Sequence, residues 1–126
     1  MIARLLLIAV AGGAGTLSRY GLSRLAQHVL GTGFPYGTLG VNLVGSFLFG
    51  LLWGYFDQHL PVVSGEWRVI ILTGFMGAFT TFSTFAFETT ALFQEGHYFL
   101  GLSNLALQTV LGVGAVAIGL GLVRLG

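Results

Sequence analysis

Between Gly74 and Phe87 the chain gathers side chains that can hold a small ion without a formal charge. The run reads Gly74-Phe75-Met76-Gly77-Ala78-Phe79-Thr80-Thr81-Phe82-Ser83-Thr84-Phe85. Five of the eleven phenylalanines fall between Phe75 and Phe87, and Phe75, Phe79, Phe82 and Phe85 recur at a spacing that lines one face of a continuous helix. Such a stripe is ordinarily packing. Here it is interleaved with Thr81, Ser83 and Thr84, whose hydroxyls donate hydrogen bonds, and aromatic ring edges carry partial positive charge. Edges and hydroxyls together suit a small anion, and they avoid a fixed cation, which would bind it too tightly to conduct. Glycines followed by a threonine and serine cluster are also poor helix material. Either the helix runs through, its hydroxyls bonded to the preceding turn, or it breaks and turns backbone carbonyls or amides toward an ion. The residues leave both open.

Other polar residues stand inside apolar stretches. Asn42 follows Pro35-Tyr36-Gly37-Thr38-Leu39 and precedes Gly45; an unsatisfied amide there is costly, so it must face a partner helix or water. Arg19-Tyr20 follows Gly12-Gly13-Ala14-Gly15, and a guanidinium this deep must snorkel or pair. Of the four carboxylates, Asp57, Glu66, Glu88 and Glu95, Glu88 is the best-placed partner for it. Ser103, Asn104, Gln108 and Thr109 offer a polar face late in the chain. His28, His59 and His97 fall at expected segment ends and read as surface histidines.

The elements that must carry these residues are membrane spans. In 126 residues, 55% are hydrophobic and only 7% are Asp, Glu, Lys or Arg, against about 25% charged in soluble domains; the mean hydropathy is +0.90. A chain this poor in polar surface has lipid as its solvent. A net charge of +1 excludes a nucleic-acid partner, which requires a basic face. The absence of cysteine excludes disulfides and thiolate metal sites. The 21 glycines point to helices packed backbone to backbone, and Gly50 with Gly54 forms a small-xxx-small pair suited to a close crossing. A span needs about 20 apolar residues, which places four spans at 5–25, 36–56, 67–93 and 98–123 in a single domain, 1–126. Gln27 to Pro35 separates the first two, and Asp57, Gln58, His59 and Pro61 close the second. Gln94 to His97 ends the third. Met1 to Ala11 mimics a signal peptide, but the rest of the chain is as hydrophobic, so it is read as the first span. Tyr36, Tyr55, Trp67 and Tyr98 fall where an aromatic belt belongs.

Alternating spans put Arg4, Arg68 and Arg124 on one side and Arg24, with Arg19, on the other. So small a bias, without any lysine, instructs orientation weakly, and insertion in both directions is expected.

These residues carry a resemblance. Gly12-Gly13 with Gly15 and Arg19-Tyr20, Gly37-Thr38-Leu39 with Asn42 and Gly45, and Gly74-Phe75-x-Gly77 through Thr80-Thr81-Phe82-Ser83-Thr84-Phe85 resemble the small bacterial fluoride channels of the CrcB/Fluc type. The likeness runs from about Gly12 to Gly112, and its Thr-Thr-Phe-Ser-Thr-Phe run is highly specific. It implies an all-α membrane protein of four transmembrane helices. The third would be broken mid-membrane, and two copies would form an antiparallel, dual-topology homodimer with two pores. The implied function is passive, fluoride-selective export across the bacterial inner membrane, lowering cytoplasmic fluoride. Its partners would be fluoride, lipid and a second copy of the chain. By position, Phe82 and Phe85 would face fluoride. Asn42 would be the pore-lining amide, Ser83 and Thr84 a hydroxyl track, and Thr38 a further pore residue. A structural sodium ion would be held by the carbonyls of Gly77 and Thr80 from both chains, and Arg19 matches the family's first-helix arginine. Met76, Ala78-Phe79 and Gln108-Thr109 depart from the pattern, and the last pair leaves the fourth helix's share of the pore open.

Two rivals are weaker. A proton-coupled exporter of the small multidrug type needs a carboxylate within the membrane, yet the first three quarters of the first segment hold no acid and Glu88 lies near a segment end. A non-transporting subunit would use the glycines and phenylalanines for packing alone. Enzyme chemistry finds no nucleophile–base pair or metal-ligand cluster.

Overall fold

The computed structural model describes residues 1–59 and 65–126, and Pro61, expected to help close the second span, lies outside the described residues. Apart from short connections, the described residues are helical: α1 (Ile2–Leu30), α2 (Tyr36–His59), α3 (residues 65–79), α4 (Phe82–Gln94) and α5 (Tyr98–Leu125). Four helical stretches are long and apolar enough to cross a membrane, the third being Gly65–Gln94, made of α3 and α4 end to end. Each extends past its expected limits. The shortest, α2, has 24 residues, or about 36 Å at 1.5 Å per residue, enough for a hydrocarbon core of about 30 Å. The largest excess is at α1, which continues from Leu25 to Leu30 because Gln27 and His28 are polar but acceptable in a helix. It stops where Gly31 takes a φ of 94° and donates its N–H to the Gln27 carbonyl at 2.8 Å. Only glycine adopts that conformation without strain.

The turn from α4 into α5 is equally local. The Gly96 N–H bonds the Phe93 carbonyl, and the His97 N–H bonds the Leu92 carbonyl at 2.8 Å, with Gly96 at a φ of 80°. This pair of bonds is a Schellman termination. It reverses the chain within three residues and lays the start of α5 against α4, Gly101 beneath the Phe93 ring.

Little side chain is buried, because the helices meet through glycine. On α2 and α5, a Cβ at Gly50 would collide with the Val116 carbonyl, and one at Gly119 with the Phe47 carbonyl and the Leu51 amide. Gly50 thus serves the close crossing its spacing suggested, against α5. Gly15 of α1 faces the Phe75 carbonyl of α3 in the same way. Val41, Phe56, Leu72, Met76 and Phe79 form the small core between α2 and α3. Outward-facing Leu17, Phe99, Val110 and Val113 are all more than two-thirds exposed, and Gly15 is the one buried residue of α1. Such a surface belongs in lipid.

Candidate functional site

The third span breaks at two residues. Thr80 (φ −84°, ψ 156°) and Thr81 (φ −149°, ψ 114°) are extended between α3 and α4. Gly77 is not part of the break: its φ of −63° and ψ of −33° are helical. Of the two residues expected to hold an ion at the break, Thr80 therefore lies in it and Gly77 does not, and the interruption sits where β-branched threonine tolerates extended backbone better than helix. A π-helical turn, Ile70–Met76, precedes it. The Met76 carbonyl accepts from both the N–H and the hydroxyl of Thr80, each at 3.1 Å. The next carbonyls, from Gly77 to Thr80, receive no hydrogen bond among the described residues.

Asn42 repairs the break from α2. Its Oδ1 accepts the Thr81 N–H at 2.9 Å, and its Nδ2 donates to the Thr81 carbonyl at 3.0 Å, so the side-chain amide pairs with Thr81 as a neighbouring strand would. Nδ2 donates also to Gln108 Oε1 at 2.7 Å. Gly45, one turn along α2, leaves room for Thr80 Cγ2 and the Phe79 ring. The Thr81 hydroxyl caps α4, accepting from the Thr84 N–H at 3.3 Å and donating to the Thr84 hydroxyl at 2.9 Å.

The break divides the phenylalanine stripe, which is therefore not one face. Phe75 and Phe79 stack at 5.9 Å in the interior, on α3. Phe82 and Phe85 meet edge to face at 5.6 Å on α4, Phe82 being 77% exposed. A mostly apolar groove of about 460 Å³ runs beside them, lined by Asn42, Ser46, Phe49, Thr80, Thr81, Phe82, Phe85, Gln108, Thr109 and small or aliphatic residues of α2 and α5.

A second groove of about 380 Å³ reaches the other side of Thr81 and is lined by Thr16, Arg19, Tyr20, Ser23, Arg24, Gln27, Thr38, Val41, Thr81 and Thr84. Two guanidiniums and no carboxylate give it a positive potential. Arg19 is not paired with Glu88. Thr38 donates instead to Glu88 Oε1 at 2.8 Å, and Glu88 Oε2 is buried with no hydrogen-bond partner. Arg19 instead lines the open positive groove.

Of the expected site residues, Asn42, Phe82 and Phe85 share the aromatic groove, whereas Thr38, Thr84 and Arg19 share the positive one. Ser83 lines neither. Its hydroxyl lies 3.5 Å from that of Thr81. On the polar face foreseen for the fourth span, Asn104 and Gln108 are buried in side-chain hydrogen bonds, and Gln108 and Thr109 line the aromatic groove, Thr109 bonding the Leu105 carbonyl at 2.6 Å. Sequence reasoning missed the contact of Thr38 with Glu88 and the part played by Thr89, which accepts from Asn104 at 2.9 Å. Neither pair has a local spacing signal, since 50 and 15 residues separate the partners.

Residues 6–120 match the family described as CrcB-like protein, Camphor Resistance (CrcB). Curated relatives named fluoride-specific ion channel FluC are similar over most of their length. The one from Solidesulfovibrio magneticus is 51% identical over 125 residues, 99% of each chain. That from Nitrosococcus oceani is 50% identical over 112 residues, 89% of each chain, and that from Maridesulfovibrio salexigens is 46% identical over 120 residues, 95% of this chain and 94% of the relative. Because the matched region contains the helix break, Asn42 and both grooves, this multi-pass helical membrane protein belongs to the CrcB-like family.

Proposed function

We propose that the chain is a fluoride-selective channel, not an enzyme, that lowers cytoplasmic fluoride by passive export across the bacterial inner membrane. The observation that carries this reading is the junction at Thr81, where a positive groove meets one walled by the Phe82 and Phe85 rings. An anion is drawn in by the guanidiniums of Arg19 and Arg24, then passes hydroxyls and ring edges that hold it weakly enough to release. Names of relatives at 46% to 51% identity support the same substrate.

The working unit is an antiparallel homodimer with dual topology. Phe82 stands 77% exposed beside an open groove, so a second copy is needed to wall the path off from lipid. The carbonyls left open at the end of α3 suit a small hard monovalent cation, since they are neutral oxygens. Gly77 and Thr80 from the two copies would hold a structural sodium ion there, neutralising the carbonyl dipoles that face one another at the axis.

The purified chain in liposomes loaded with fluoride should release it down its gradient without a proton gradient, and chloride should stay behind. Equal loss of both ions, or none, would end the reading. The buried, unpartnered oxygen of Glu88 favours one alternative, a proton-coupled exporter of the small multidrug type; in that case a gradient of cationic drug, not fluoride, would drive proton flux.

A further inference from the structure

We infer that Gln108, Asn104 and Thr89 are positioning residues, a strap of one-way hydrogen bonds that runs from Asn42 through α5 and back to α4. The strap holds the Phe82 and Phe85 rings in fixed register with the break, and its functional meaning rests on the channel reading. Its direction is set by one atom. The backbone N–H of Thr81 can only donate, so the amide oxygen of Asn42 must face it at 2.9 Å. The two protons of Asn42 Nδ2 are then both engaged, one by the Thr81 carbonyl at 3.0 Å and one by Gln108 Oε1 at 2.7 Å. With its oxygen so placed, Gln108 turns Nε2 to Asn104 Oδ1 at 3.1 Å. Asn104 in turn presents Nδ2 to Thr89 Oγ1 at 2.9 Å, and the Thr89 proton goes to the Phe85 carbonyl at 2.8 Å. No amide in the series can flip alone without setting donor against donor or acceptor against acceptor.

Both ends of the strap lie on one element. Thr81 is the N-cap of α4 and Thr89 stands two turns in, with Phe82 and Phe85 between them. Asn104 is 0% exposed, Thr89 5% and Gln108 9%, so water offers no ready substitute for a lost bond. Turning α4 by one residue, about 100°, would remove Thr89 from Asn104 and leave buried amide groups unpaired. A continuous helix would fix this register through its own backbone. The break at Thr80 and Thr81 gives that up, and the strap restores it from α2 and α5. Asn42 is consequently a brace with no free N–H, which changes what it can offer an anion.

The full chain in nanodiscs tests this by amide exchange at Thr81 and by the fluoride-to-chloride permeability ratio from reversal potentials. Asn104→Leu and Thr89→Val should each speed Thr81 exchange by roughly tenfold, as expected for weakening one buried hydrogen bond, and each should lower the permeability ratio. Thr89→Ser, which returns the hydroxyl, should restore both quantities. If Asn104→Leu does not fold, the nearly isosteric Thr89→Val carries the measurement. Were these residues packing only, Thr89→Val would melt earlier while Thr81 exchange and the ratio stayed at wild-type values, and the proposal would be overturned. Should the wild-type chain pass no fluoride, accelerated Thr81 exchange would still support the strap while the channel reading failed, and unchanged exchange would overturn the strap by itself.

Discussion

Phe82 and Phe85 lie 5.6 Å apart at an interplanar angle of 65°. In that edge-to-face pair one ring's edge is turned to the other's face, and the remaining edges are available to the groove. Replacing either ring with isoleucine fills similar space but removes the positive edge. Phe82→Ile and Phe85→Ile should therefore each lower fluoride efflux from liposomes by about tenfold, the scale of one lost aromatic contact, while the dimer still elutes intact. Wild-type efflux in both single variants would return the rings to a packing role. Thr81 carries a different kind of weight at this scale. Its backbone is held on both sides by Asn42 and its hydroxyl caps α4, so one residue joins the two halves of the third span.

For the third span as an element, the consequence of the break is a set of carbonyls without N–H partners, which is costly in lipid unless something occupies them. Gly77 is helical, and a Cβ there would meet the Leu72 carbonyl at 3.8 Å, an ordinary van der Waals contact. A small side chain could therefore be accommodated within one copy, whereas a large one would obstruct a partner approaching those carbonyls. Gly77→Leu should abolish sodium-dependent stabilisation of the dimer, whereas Thr80→Val, which removes only the hydroxyl bonded to Met76, should retain it. Melting temperature with and without sodium is the measurement. Identical melting of the wild-type protein in sodium and in a large organic cation would remove the ion from the proposal and leave the pore untouched.

For the molecule as a whole, orientation follows from very few charges. Arg4, Arg68 and Arg124 belong to one end of the bundle and Arg24 to the other, and Arg68 is turned onto the Trp53 ring at 3.9 Å, a cation–π contact of the kind found at membrane interfaces. A cysteine placed after Gly126, in a chain that has none, should label from both sides of the membrane in comparable amounts. Lysines added beside it should shift labelling toward one side. Labelling of this single-cysteine variant from one side only would contradict dual topology.

The sequence by itself determined the environment and the elements. Its apolar runs specify four spans because a bilayer of fixed thickness demands that length, and its glycines specify close crossings because only a missing Cβ lets backbones touch. The threonine-rich interruption was legible as a choice between a break and a back-bonded helix. Only the tertiary structure decided between them, since Thr81 can stay extended only because Asn42, 39 residues away in the chain, supplies the hydrogen bonds that helix would have supplied. The same holds for the phenylalanine stripe, whose even spacing describes one face only while the helix is continuous. It holds too for Arg19, whose expected partner Glu88 is bonded by Thr38 while Arg19 itself lines an open groove. Even residues within one turn of each other, such as Phe79 and Phe82, share a face only where the helix between them is unbroken. Asn42 with Thr81, Thr38 with Glu88 and Asn104 with Thr89 were not legible, because burial of a polar group dictates that a partner exist and leaves the packing of helices to choose which.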